Sequence, residues 1–317
     1  MKPHIRTCEH REKPTHIARI LSPMGIYPAM SVSFSNCLYV ASRDLCFSLV
    51  QYHDRGDDES CSEVQLLSVS EIRIYGALML AVDREISYSA FYPYPFDISL
   101  VCSQPPDSIT YAIEHVRPIL IEKLTEPDKT PTGYAVPALN SYRHATDIPL
   151  PPVVGGRDYD LRDKGIDYTM AQQLYDAICP NDAIVLRGLS TLIKAGMLHF
   201  HYQFFEEATN TLYISMEASY RMVLRKLRDT GYQQPTAKDA ANYIHNAFYD
   251  IDRLEKYFEE DYERRIASFH PESRLGIFSH PPITADDYYF LFNDLLEVYR
   301  YLLIGYVHPK HLEKRAT

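Results

Sequence analysis

The stretches DAIVLRGLSTLIKAGMLH (residues 182–199) and FFEEATNTLYISMEASYRMVLRKLRDTG (204–231) decide the fold class. In the first, Leu186, Leu189, Ile193 and Met197 recur at three- and four-residue steps, which places them on one helical face. In the second, Phe204, Ala208, Leu212, Met216, Ser219, Val223 and Leu227 keep that spacing to a stop at Gly231. The break between the two falls near His199–Tyr202. Asp182, just after Pro180-Asn181, is a good N-cap for the first.

Working outward, a shorter helix is expected over about Tyr168 to Cys179. PTAKDAANYIHNAF offers another, with Thr236 as its cap. Asp252 opens a further one through Leu254, Tyr257, Phe258 and Tyr262 to His270. The last carries Asp286 and Asp287 in its first turn, where carboxylates suit the macrodipole, and runs to Gly305. Short connections favour antiparallel neighbours, so residues 166–310 read as an all-α antiparallel bundle.

Before the bundle the texture differs. Residues 1–24 read as a mobile arm. Residues 25–125 read as a small α+β domain with β-leaning runs SVSFSNCLYVA, CFSLVQY, VQLLSVSEIRIYG and FDISLVC. YGALMLAVDREI is ambiguous but admits a short helix, and SITYAIEHVRPILIEKL is either a helix or a strand pair. Residues 126–165 hold Pro127, Pro131, Pro137, Pro149, Pro151 and Pro152. Proline fixes φ and removes a donor, so this is a linker or an extended arm. The fold class is α+β overall.

Composition narrows the function. The chain of 317 residues is 46% hydrophobic, enough for a proper core. A net charge of −10 excludes a general nucleic-acid coat, though a local basic strip remains compatible with RNA. The six cysteines form no CxxC pair and no disulfide framework. With no signal-like apolar stretch and no run of transmembrane length, a cytoplasmic protein is expected. GxSxG, the P-loop pattern and GxGxxG are absent.

Three constellations remain. ERRIASFHP places Arg264 and Arg265 upstream of His270 at the end of a helix. The imidazole's charged form is favoured there, and a neighbouring arginine suits a phosphate. The plain alternative is a solvated helix end with the arginines paired to Glu259, Glu260, Asp261 and Glu263. SYRMVLRKLRDTG places Arg221, Arg225 and Arg228 on one face with Lys226 beside them. Such a stripe can follow a phosphate backbone, or it can be a solvated face near a helix end. HFHYQFFEEA holds His199, His201, Glu206 and Glu207, but two histidines two apart diverge on a helix, and no metal or cofactor is called for. The His4/Cys8/His10/His16 group has no matching partner pair.

Taken together, the helices from Asp182 to Gly305 and the Arg-x(4–5)-His spacing of ERRIASFH resemble the HEPN superfamily of small helical bundles. Its members occur in prokaryotic toxin–antitoxin, abortive-infection and RNA-processing systems. The resemblance implies a metal-independent endoribonuclease, a toxin or phage-defence component, acting as a homodimer with Arg265, His270 and Arg264 at a composite site. It departs from the family where Ile266 follows Arg265 and Arg265 follows Arg264, in place of the commoner Asn, Asp or His. The alternative is a non-catalytic HEPN-like module that binds RNA or, through the N-terminal domain, a protein partner.

Overall fold

The computed structural model describes residues 5–7, 13–21, 31–41, 45–51, 67–82, 91, 93–102, 108–125, 167–199, 204–248, 258, 285–309 and 311. The expected linker over 126–165 and the segment ERRIASFHP, with Arg264, Arg265 and His270, lie outside the described residues. So do the side chains of His4, Cys8, His10 and His201.

Among the described residues, six strands form one antiparallel sheet: β1 (Ile5–Thr7), β2 (His16–Leu21), β3 (Val32–Phe34), β4 (Cys37–Ala41), β5 (Cys46–Gln51) and β6 (Pro93–Cys102), in the order β1-β6-β2-β5-β4-β3. β2 corrects the expectation of an N-terminal arm. HIARIL is an inner strand, paired to β5 through His16↔Gln51 and to β6 through His16↔Leu100. Side chains alternate across the sheet. Leu38 and Val40 of β4 join one apolar cluster, whereas Cys37 and Tyr39 join the other.

Helix α2 (109–125) covers the first face. Ala112, Val116 and Leu120 pack with Ala18, Ile20, Phe47 and Leu49. The ambiguity between helix and strand pair is thereby resolved as a helix. Its middle, Ala112–Val116, is π-helical, with the Arg117 N–H reaching Ala112 O immediately before Pro118, which has no N–H to donate.

Helix α1 (Val69–Ala81) covers the second face. VQLLSVSEIRIYG was read as β-leaning, and the structure corrects this from Val69 onward. Ser68 and Glu71 form a capping box: Glu71 N donates to Ser68 Oγ at 3.2 Å and Ser68 N donates to Glu71 Oε2 at 2.7 Å. Glu71 also takes Arg19 Nε of β2 at 2.7 Å, in an ion pair buried under the sheet. Ser48 of β5 and Tyr75 share a hydroxyl hydrogen bond of 2.5 Å.

The helical part contains α3 (Tyr168–Ala177), α4 (Ala183–His199), α5 (Phe205–Asp229), α6 (Ala237–Ala247) and α7 (Ala285–Ile304). α1 packs into it as well. A Cβ on Gly76 would come within 3.1 Å of Leu189 Cδ1 and 3.6 Å of Ile178 Cδ1, so α1 lies close against α4 and the end of α3. Two arginines bind helix ends, where carbonyls lack partners. Arg73 donates to Ile178 O at 2.8 Å and Tyr175 O at 3.0 Å, at the end of α3. Arg300 donates to Leu80 O and, at 2.6 Å, to Val82 O, at the end of α1. One apolar core therefore runs from Phe34 and Tyr39 of the sheet through α1 to Leu189, Leu212 and Leu295.

Candidate functional site

α4, α5 and α7 meet at Gly188. A Cβ there would overlap Tyr299 Oη and stand 2.9 Å from Ala218 Cβ, so only glycine allows this approach. Ser215 Oγ donates to Gly188 O at 2.9 Å, and Tyr299 Oη donates to Ser215 O at 2.8 Å. Burial pushes the Tyr299 phenol well above its usual range. The knot fixes how the outward faces of α5 are presented.

On one of those faces lie Arg221, Arg225 and Arg228. The structure gives two of them carboxylate partners. Arg221 Nε is 2.9 Å from Glu217 Oε1, one turn back on the same helix. Arg225 Nη2 is 2.6 Å from Asp182 Oδ2. Asp182 is the N-cap of α4 as expected, its Oδ1 accepting from Ile184 N and Val185 N, each at 3.2 Å. Burial raises its carboxyl, but the Arg225 hydrogen bond, the two backbone amides and the Arg225 charge together hold it below the usual range. Arg225 thus ties the C-terminal half of α5 to the start of α4. Arg228, exposed in the last turn before Gly231 (φ 105°), has no ion pair among the described residues.

The histidine of HFHYQFFEEA that the structure describes is part of the packing. His199 ends α4 between the rings of Tyr288 (centroids 4.5 Å) and Phe205 (5.8 Å), and burial lowers its pKa. Among the described residues no three His, Cys, Asp or Glu side chains group so as to hold a metal ion.

What the sequence reading missed is a cleft of about 440 Å³ between α5, the start of α6 and Phe258. Met216, Leu224 and Phe258, all buried, floor it. Among the described residues Tyr220 also lines it, with its ring 5.1 Å from that of Phe258, as does the Glu217–Arg221 pair. Ala237 closes it at the first turn of α6, where Thr236 and Asp239 form a capping box. Residues 217, 220, 221 and 224 share a face by helical spacing. That signal was present in MEASYRMVL (216–224), but nothing local showed which element it would face.

No described helix is long and apolar enough to cross a membrane. In comparisons with known proteins, no family model, no curated protein and no solved structure matches the chain.

Proposed function

We propose that the chain is a HEPN-type, metal-independent endoribonuclease acting as a cytoplasmic homodimer, with Arg265 and His270 as the catalytic pair and Arg264 beside them. What supports the reading is the order of helices around the motif. α4 and α5 form the long pair, α7 packs on α5 and meets both at Gly188, and ERRIASFHP falls in the chain between α6 and α7.

The chemistry follows from the residue types. The RNA 2′-oxygen attacks the adjacent phosphorus and passes its proton to one imidazole. The 5′-oxygen leaves as the P–O bond breaks and takes a proton from a second imidazole. The products are a 2′,3′-cyclic phosphate and a 5′-hydroxyl. Arginine faces the charge that builds on the phosphorane. One His270 per chain cannot serve both transfers at once, and a dimer supplies two.

His270→Ala should lower RNA cleavage on the order of 10²–10⁴-fold without loss of fold, and excess chelator should leave cleavage unchanged. Cleavage that persists in His270→Ala, or that stops with chelator, contradicts the proposal.

A second reading is a non-catalytic module for a protein partner, or for RNA bound away from the Arg221/Arg225/Arg228 stripe. It is supported by the pairing of Arg221 with Glu217 and of Arg225 with Asp182, which withdraws two of three cations from any phosphate backbone. Under it the purified chain cleaves no RNA, and replacing Arg221, Arg225 and Arg228 with Glu leaves the salt dependence of RNA binding unchanged.

A further inference from the structure

α4 and α5 pack together but are charged differently. α5 carries carboxylates among its arginines. The 17 residues of α4, AIVLRGLSTLIKAGMLH, hold Arg187 and Lys194 and no Asp or Glu, in a chain whose net charge is −10. Arg187 and Lys194 are seven residues apart, about 20° short of two full turns, so they stand on one line of the helix about 10.5 Å apart along its axis. That line faces outward: Arg187 is exposed and Lys194 half-buried, whereas Leu189, Leu192 and Ala195 are buried. Ser190 and Thr191 lie between the two cations. Both hydroxyls donate back to Arg187 O, at 3.1 and 2.9 Å, and bring no negative charge.

The charge of this line is not balanced from elsewhere. Among the described residues Glu71 meets Arg19, Glu217 meets Arg221, Asp182 meets Arg225 and Glu297 meets Arg300, and no carboxylate meets Arg187 or Lys194. Burial lowers the Lys194 pKa, and the nearby Arg187 charge lowers it further. Each cation therefore adds to the cost of the other's charge, and an anion held by both removes that cost.

The residue types and the charge select the anion. A guanidinium presents a fork of N–H groups that matches two oxygens of one phosphate, and an ammonium adds a compact point charge. Together they carry two positive charges. A carboxylate or a phosphate diester brings one negative charge. A phosphate monoester brings about −1.5 to −2 near neutral pH, with three acceptor oxygens, and comes closest to neutralising the pair.

We infer that Arg187 and Lys194 form a phosphate site on the outward line of α4 and hold a phosphate monoester between them. The monoester belongs to a free nucleotide or to the phosphorylated end of an RNA strand; the recognition chemistry is the same. The inference does not rest on the ribonuclease reading and holds whether or not the chain cuts RNA.

Calorimetric titration of the full chain with UMP, uridine, and a short oligouridylate carrying either a 5′-phosphate or a 5′-hydroxyl tests this. UMP should bind and uridine should not. Arg187→Gln and Lys194→Met should each weaken UMP binding by roughly tenfold, the scale of one hydrogen bond between charged groups. Lys194→Arg, which keeps the charge, should retain most of it. Tighter binding of the 5′-phosphorylated oligonucleotide than of UMP makes the RNA end the source, and equal affinity makes it the free nucleotide. Uridine binding as tightly as UMP overturns the inference, as does UMP binding that survives both charge removals. A 5′-hydroxyl strand that binds as well as the phosphorylated one also overturns it, since diesters then suffice. Stability supplies an independent check. In phosphate-free buffer Lys194→Met removes a repelled charge and keeps the apolar stem, so its denaturation midpoint should equal or exceed that of the parent. A lower midpoint would reveal a carboxylate partner within the chain and overturn the inference.

Discussion

α1 and α5 belong to one core, yet they are read from sequence in opposite ways. α5 runs for 25 residues with a buried face and an exposed one. Its apolar positions recur at helical spacing because solvent on the other side forces polar residues there. α1 is shorter and buried on nearly every side: from Ser70 to Ala81 every residue except Arg73 is buried. With no solvent face there is no periodicity, and EIRIYGALMLA looks as much like a buried strand as a helix. The helix that ties the sheet to the bundle is therefore the one whose pattern is silent. Burial on all sides also lets α1 carry a charge, Glu71, only because Arg19 meets it.

The contrast can be broken at its strongest point. Glu71→Ala leaves the Arg19 guanidinium under the sheet without its carboxylate and removes half of the capping box. It should destabilise the chain by about 3–5 kcal/mol in chemical denaturation. The corresponding truncation on the open face of α5, Arg221→Ala, should cost no more than about 0.5 kcal/mol. Equal costs at the two positions would show that α1 is less enclosed than described.

A smaller effect separates the two ends of the α5 stripe. The folded-state pKa of Asp182 lies below its ordinary value of 3.8. The stability it contributes is therefore fully present above about 3.8 and is lost as pH falls through the lower folded value. Asp182→Asn, which keeps a capping oxygen but removes the charge facing Arg225, should be less stable than the parent at neutral pH, by about 0.2–1 kcal/mol. The gap should close on acidification below the ordinary carboxylate range. A gap that stays constant with pH would mean that the Arg225 contact contributes nothing.

How much was legible follows from the same physics. The boundaries of α4 and α5 were marked by Asp182, by the break after His199 and by Gly231, all local signals. The Ser68-x-x-Glu71 box was equally local, but the β-branched residues around it drew the reading toward a strand. β2 was missed because HIARIL is short and follows a polar, His-rich start, and its pairing with β5 and β6 is decided by distant chain. The Arg221/Arg225/Arg228 face was read correctly as a face. That Asp182 and Glu217 would take two of its cations was not legible, since Asp182 lies 43 residues from Arg225. The cleft was hidden for a like reason. Tyr220 and Arg221 were visible, whereas Phe258 and Ala237 become their neighbours only once the chain has turned back.

Amide hydrogen exchange on the full chain, resolved by segment, tests the shared core most directly. If α1 is the piece through which sheet and bundle share one core, the amides of Ile74–Leu80 should exchange as slowly as those of Leu189–Ile193 and Leu212–Met216. All three should lose protection together as denaturant rises. Exchange of α1 with the sheet strands at a distinctly lower opening free energy than α4 and α5 would contradict this, and would make the sheet with α1 a unit separable from the bundle.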